Sequence, residues 1–517
     1  MAELIWKPGT TYDDWLVLPG RIKKDVTVDN ISLKTPLTKY NSSDSQEVPA
    51  ENLPEDVFVI NSPLLSAPMQ SVTGAEMAIE LAKQGCLGVI FCSQPINKEA
   101  GIVRQVKGYK AAFVVPDVFS PETIIEEVIK AAEEKGYSTF PITDNGKPNG
   151  RIVGLLTKND YSEKHRQLKA CDRMIPMNRI IYARYEKVGE DIRKANAILE
   201  NSHHGSIPIV DKHGHLKFMV FKKDIREHRS YPLELVDNQK RYVVGAAVNT
   251  YDYRKRVPAL AEAGADILFV DASQGYSDYQ EAALKHILKN FPGIPVIGGN
   301  VATKEGFDFL VQNGAHGVKI GMGPGSICTT REKYRIGRPQ ATAVIEINQR
   351  RHEYLAETGI YVPIIADGGI VTNDHFFIAF ALGADSVMGG RFFARFHESP
   401  TETTELKETY EGRVYVASVK PYWGEGSERA KIWRRKRYDQ AEESEGIEGY
   451  VPYAGYVKDN LPSAVRHIKT SMQKNGYFNI RDVHAHVRLQ RESASTIKEG
   501  MPHDIFVERM WRPYRSG

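Results

Sequence analysis

The chain is predicted to fold as an α/β protein, a (β/α)8 TIM barrel broken by an inserted tandem module. Three observations predict this. About eight short apolar runs, most of them ending in Gly, Asp or Asn, have helical stretches between them. Two similar pieces, repeating at roughly 65 residues, interrupt that alternation between Lys107 and Arg229. Polar and glycine-rich groups gather at the carboxyl ends of the runs, where such barrels carry their sites. An open doubly wound sheet is the competing architecture.

Length and composition agree with this. At 517 residues the chain is too long for one ordinary domain, but a barrel with an insertion fits. The apolar fraction of 41% supplies a sizeable core. A net charge of +3 is near neutral for this size and argues against nucleic acid as the main partner. No apolar run approaches the ~18 residues of a membrane span, and no charged-then-apolar leader opens the sequence, so no membrane partner is expected. Four cysteines do not make a disulfide framework, which points to the reducing cytosol and a cytoplasmic setting.

The opening, to about Leu53, is rich in turns, and Tyr12 to Gly20 reads as a segment that packs on something else. Ser62 to Met69 is a strand running into a loop, followed by a helix from Ala75 to Lys83 and a strand from Leu87 to Phe91. The interruption then holds Thr139 to Asp144 and Ile152 to Leu156, then Ser206 to Asp211 and Leu216 to Val220. Each pair reads strand, turn, strand, and then an aspartate, Asp160 or Asp224, capping a helix. Pro141 and Pro208 sit early in their strands, where a lost N–H matters least. After Arg241 the alternation resumes, with strands at Val243–Ala247, Ile267–Asp271, Val296–Asn300, Gly317–Gly321, Ile364–Asp367 and Ser386–Met388 and a helix from Val257 to Ala263.

The chemistry-bearing stretch is Gly321-Met322-Gly323-Pro324-Gly325-Ser326-Ile327-Cys328-Thr329-Thr330. Its glycines permit a sharp turn and close approach to a ligand. They do not fit the dinucleotide fingerprint, because Ser326 and Cys328 stand where the third glycine belongs. Cys86 and Cys92 lie in an apolar stretch and belong to the core, and Cys171 lies in the insertion. Cys328 alone ends a strand in a polar loop, where N–H groups can favour a thiolate nucleophile. Asp367-Gly368-Gly369 and Gly389-Gly390 end the last two strands, where barrels often build a phosphate site, and Ser326 adds a hydroxyl. Tyr422 to Asp439 is glycine-led, polar and basic, as expected of a lid; a solvated face or a nucleic-acid stripe are the other readings.

Together these residues resemble the inosine-5′-monophosphate (IMP) dehydrogenase family over essentially the whole chain, and the inserted pair resembles a tandem cystathionine-β-synthase (CBS) module. Ser326-Ile327-Cys328-Thr329-Thr330 is similar to that family's catalytic-cysteine loop. The resemblance implies a barrel in two parts, 1–107 and 232–517, a CBS insert at 108–231 and a flap at about 422–447. It implies NAD-dependent oxidation of IMP to xanthosine monophosphate through a covalent intermediate on Cys328. Arg437, with Thr330 and Tyr438, would then activate water. An arginine base is chemically awkward, because guanidinium barely deprotonates, and Thr330 with Glu445 offers a second proton route.

The resemblance also assigns the remaining residues. Ser326, Asp367, Gly368, Gly369, Gly389, Gly390 and Tyr422 would hold the substrate phosphate. Met69, beside Ala67, would line the substrate together with Lys319, Gly424, Glu425 and Gly426. Asp271 and Ser273 would face the nicotinamide half of NAD, Asn300, Gly321 and Gly323 would also belong to the NAD site, and Tyr251 and Tyr279 would stack its adenine. Carbonyls of Gly323, Gly325 and Cys328 would hold K⁺ with Glu499, Gly500 and Met501 of a neighbouring subunit, which implies a homotetramer. A purine nucleotide is expected at the insert. Gly390 stands where many members have serine, and the tail lacks the usual glycine doublet after Glu499. The nearest rival is guanosine monophosphate (GMP) reductase, which shares the cysteine loop but uses NADPH; a nucleotide-sensing regulator is the rival from another class.

Overall fold

A computed structural model describes residues 5–42, 46–109, 117–135, 139–189, 194, 197–199, 205–221, 230–410, 413–430 and 444–502. The chain divides into two compact units, one of residues 1–106 with 244–517 and one of residues 107–243.

The first unit is built on a closed parallel barrel. Its strands are β1 (Leu64–Ser66), β2 (Leu87–Ile90), β3 (Gly245–Val248), β4 (Ile267–Val270), β5 (Val296–Val301), β6 (Gly317–Ile320), β7 (Ile364–Asp367) and β8 (Ser386–Gly389). All eight are the runs expected from sequence, so the open-sheet alternative falls. Closure is seen in two registers: Leu64 pairs with Val387 across β1 and β8, and Val89 pairs with Gly245 across β2 and β3. The strands are mostly apolar because their two faces are covered by barrel interior and outer helices. Helices such as Ala75–Lys83 and Lys304–Gln312 lay an apolar stripe against them. Beyond β8 the chain adds an antiparallel sheet of Thr404–Tyr410, Arg413–Trp423 and Glu448–Pro452, which the sequence reading did not contain.

A buried ionic network closes the amino end of the barrel. Asp385 directly precedes β8, and Arg351 of the helix Gln340–Thr358 donates to it at 2.7 Å. The Tyr361 hydroxyl, at 2.6 Å, and the Ile364 N–H, at 2.8 Å, complete the carboxylate's partners. Beside it, His484 Nδ1 lies 2.9 Å from Glu47, and Nε2 lies 3.1 Å from the Ala384 carbonyl. Burial opposes a charged His484 ring. The Glu47 charge and hydrogen bond outweigh that and hold the pKa above the ordinary histidine value.

A raised folded pKa means that the stabilisation is fully present below the unfolded value and is lost as pH rises through the folded one. The thermal midpoint is therefore expected to fall as pH rises above about 6.5, by roughly 2–4 °C for each kcal/mol lost. A pH series of melting curves checks this. His484→Gln should remove that limb of the profile, and a wild-type midpoint that holds level there would contradict the assignment.

The second unit carries the expected repeat. Phe140–Thr143 pairs with Ile152–Leu156, and Ser206–Val210 pairs with Leu216–Phe221, both antiparallel. The two copies bury separate apolar clusters, one around Phe140 and Leu156 and the other around Ile207 and Val220. Asp160 does not open a helix as expected. Its carboxylate accepts from the Thr157 N–H at 2.7 Å and from the Thr157 hydroxyl at 2.6 Å, closing a turn instead. Asp224 lies outside the described residues. At the two ends of the unit Tyr109 stacks on Tyr242, ring centroids 5.9 Å apart, and Lys107 donates to Asp237 at 2.9 Å.

Candidate active site at the carboxyl end of the barrel

The site is assembled by the loops that leave β6, β7 and β8. The first is the glycine-cysteine loop. Asn300 Nδ2 donates to the Gly321 carbonyl at 2.8 Å, and a Cβ on Gly321 would lie 2.2 Å from the Asp367 carbonyl oxygen. Only glycine lets those two strand ends meet. The loop then closes on itself, Cys328 N–H to Gly325 carbonyl at 3.0 Å, and enters the short helix Thr330–Lys333.

A second segment is stitched along this loop. Thr329 N–H donates to the Glu445 carbonyl and Ile447 N–H to the Ile327 carbonyl, both at 3.0 Å, so Cys328 and Gly446 form a bridge. This stitching brings three reactive side chains into line. Cys328 Sγ lies 3.3 Å from Thr330 Oγ1, and that hydroxyl donates to Glu445 Oε2 at 3.1 Å. The thiol is exposed, whereas Cys86 and Cys92 are buried as expected. A thiol, a hydroxyl and a carboxylate in sequence form a path along which a proton can leave the reacting centre.

Charged groups line the same cavity as the thiol. Lys319 is 3% exposed and donates to Asp367 at 2.8 Å, with Asp271 at 3.7 Å. Asn300 adds a bond to the same Asp367 oxygen at 3.0 Å, while its own Oδ1 is buried with no hydrogen-bond partner. One buried ammonium thus serves two carboxylates, Asp367 directly and Asp271 at longer range.

The three loops together gather the phosphate candidates. Gly368, Gly369, Gly389, Gly390 and Ser326 all line one cavity of about 500 Å³ with Met69, Tyr422, Gly424, Glu425 and Gly426. Burial pushes the Tyr422 hydroxyl pKa up; its hydrogen bond to Ser326 opposes that, and the Asp367 charge adds to it. A Cβ on Gly390 would lie 2.8 Å from the Tyr422 hydroxyl and 3.2 Å from Met69 Sδ, so Tyr422 takes the room that a serine would need. Glu425 Oε1 accepts from the Gln70 N–H at 2.7 Å, which ties the loop after β1 to this wall.

The head of the expected lid is part of the cavity wall. Tyr422 and Trp423 end a strand and are 5% and 7% exposed, so the wall at its head is built in. Arg437 and Tyr438 lie outside the described residues.

A second cavity, of about 990 Å³, shares Cys328, Thr330, Asp367, Gly368 and Glu445 with the first. Ser273, Asn300, Gly321, Gly323, Tyr251 and Tyr279 line it, whereas Asp271 lines the first cavity. Two ligand-sized spaces meeting at one thiol suit a reaction between two bound molecules. Gly325 lines both cavities. Glu499, Gly500 and Met501 line neither; they end a helix that packs against Tyr12–Asp14.

Sequence reasoning missed Arg391, a guanidinium on the wall of the first cavity that directly follows Gly389-Gly390. Its position after the glycine doublet was the available signal. It also missed Gln340, whose Nε2 donates to the Ile320 carbonyl at 2.9 Å and the Asp367 carbonyl at 3.2 Å, and nothing local marked that residue.

Comparison with known proteins fits this geometry. A family described as the IMP dehydrogenase / GMP reductase domain matches residues 9–503. An inosine-5′-monophosphate dehydrogenase from Tritrichomonas foetus is 40% identical over 517 residues, covering 98% of each chain. One from Schizosaccharomyces pombe is 34% identical, covering 95% of this chain and 91% of its own. A GMP reductase from Trypanosoma brucei, solved with guanosine 5′-monophosphate, superposes with a TM-score of 0.82 at 25% identity, over 97% of this chain and 98% of its own.

Proposed function

The chain belongs to the family of IMP dehydrogenases and GMP reductases, and from that premise we infer that it oxidises IMP to xanthosine monophosphate with NAD, in guanine nucleotide synthesis. The observation that carries this reading at the site is the exposed Cys328 thiol, placed where the two cavities meet.

The purine nucleotide occupies the first cavity. Gly369, Gly389 and Gly390 offer N–H groups, and Ser326 and Tyr422 offer hydroxyls, to its phosphate, while the Gly368 N–H is held by the Met388 carbonyl at 3.3 Å. Arg391 supplies the countercharge. Asp367, fixed by Lys319 and Asn300, accepts from the ribose hydroxyls. Cys328 Sγ then bonds to C2 of the hypoxanthine ring, and the C2–H bond breaks with its electron pair.

The second cavity fits a dinucleotide in size, and the unpartnered Asn300 Oδ1 and the rings of Tyr251 and Tyr279 suit an amide and an adenine. When bound there, NAD⁺ supplies the acceptor for that hydride. Water next adds to C2, and the C–S bond breaks to release the product. The proton from that water travels by Thr330 to Glu445, which are already hydrogen-bonded, or to Arg437 with Tyr438.

Further assignments rest on the same premise. The carbonyls of Gly323, Gly325 and Cys328 are uncharged oxygen donors suited to a monovalent cation such as K⁺. In this chain the tail of Glu499, Gly500 and Met501 packs elsewhere, so a neighbouring copy would complete the site, consistent with a homotetramer. None of the four cysteines forms a disulfide, which supports a reducing cytoplasmic setting. Among the described residues no helix is long and apolar enough to cross a membrane. In the second unit, a cavity of about 560 Å³ lined by Arg151, Arg184 and Lys212 supports the binding of a purine nucleotide.

The purified protein is expected to raise NADH absorbance when given IMP and NAD⁺. Consumption of NADPH with GMP, and no NADH from IMP, would place it with the reductases instead.

A further inference from the structure

The start of the segment Tyr12 to Gly20, expected only to pack on something, packs on the loop that follows β7. Tyr12 is 2% exposed, and its ring edge lies 3.2 Å from the Cβ position of Gly369. His375 is equally buried, in the first turn of the helix Asp374–Ala381, with its ring 5.7 Å from that of Tyr12. His375 Nδ1 accepts from the Val371 N–H at 3.2 Å, and the Gly369 carbonyl lies 3.3 Å from the same nitrogen. On the other side of the ring, Nε2 lies 3.1 Å from Asp13 Oδ1. An acceptor at Nδ1 leaves the proton on Nε2, where the Asp13 carboxylate takes it. Asp13 therefore selects the tautomer that can hold Val371.

The same segment is anchored next door. Thr10 N–H donates to Thr342 Oγ1 at 2.7 Å, two residues from the Gln340 that spans the ends of β6 and β7. Trp15–Val17 pairs with Leu489–Arg491, so the brace is itself held. Gly368, Gly369, Ile370 and Val371 all line the substrate cavity. Loop N–H groups bind an anion well only when their directions are fixed before it arrives.

We propose that Asp13 and His375 form a brace that holds the Gly369–Val371 loop in the shape that receives the substrate's phosphate. His375 is a positioning residue acting through the Val371 N–H, and Asp13 acts through His375. This rests on the reading of that loop as a phosphate site.

Steady-state kinetics with IMP and with inosine, which lacks the phosphate, test it. His375→Ala should raise KM for IMP about tenfold, the loss of roughly one well-placed hydrogen bond. It should leave kcat, KM for NAD and kcat/KM for inosine within about twofold. His375→Asn, whose side-chain oxygen can reach the Val371 N–H, should recover most of the loss. An equal fall in kcat/KM for inosine and IMP, or an unchanged KM for IMP, would overturn the brace. If His375→Ala does not fold, the more exposed Asp13→Asn carries the test: about a threefold rise in KM for IMP is expected, and no rise overturns the proposal. A wild-type protein that turns over inosine as efficiently as IMP would remove the phosphate reading itself, and the brace with it.

Discussion

Cys328→Ala abolishes NADH formation, with kcat/KM for IMP falling at least about 10⁴-fold, as for the loss of other covalent nucleophiles. In the proposed mechanism the bond from sulfur to C2 turns an aromatic ring carbon into one from which hydride can leave, and among the described residues no other thiol lines either cavity. Thr330 and Glu445 carry oxygen, but they lie behind the thiol in the hydrogen-bonded line. Binding should survive, because the phosphate loops, Asp367 and Arg391 do not depend on the sulfur. Two measurements check this. Nucleotide affinity by calorimetry should stay within about threefold of wild type. Mass spectrometry of enzyme quenched during turnover should show a purine nucleotide adduct on Cys328 in wild type and none in the variant. A variant that retains turnover would end the covalent mechanism.

Arg351→Met lowers folding stability by about 3–5 kcal/mol, the cost of leaving a buried carboxylate without its partner charge. Arg351 and Asp385 are 0% exposed, so water cannot replace the guanidinium. Methionine keeps much of the volume, which isolates the charge from the packing. Adding Asp385→Asn removes the orphaned charge while keeping an acceptor for Tyr361 or the Ile364 N–H, and it should return much of the loss. Denaturant midpoints of the single and double variants separate these contributions. A single variant within about 1 kcal/mol of wild type would show that the pair is not what closes this end of the barrel.

The sequence carried the barrel because each strand is a local signal. A run such as Ile267 to Val270 is apolar at every position and can only be buried on both faces. The glycine-cysteine loop was legible for a similar reason, since its residue types are unusual in a row. The Cys328–Thr330–Glu445 line was legible through resemblance, but its geometry was not: Glu445 lies 115 residues from Thr330. Tyr12, Gln340 and His375 were not legible as parts of the site. Each is an ordinary residue whose role comes from a partner far along the chain, Asp13 with His375 being 362 residues apart. The helix expected after Asp160 failed because the aspartate bonds back to Thr157, a local choice that the same residue type permits equally well.

The pairing of β2 with β3 must close a chain loop of roughly 150 residues, which slows the search for that register. The ends of the second unit are clasped by the Tyr109–Tyr242 stack and the Lys107–Asp237 bond. Once that unit has formed, the loop is in effect a short connection. An insert that folds first therefore shortens the chain that the β2–β3 closure has to span. Order of assembly, rather than final stability, is where its length is felt.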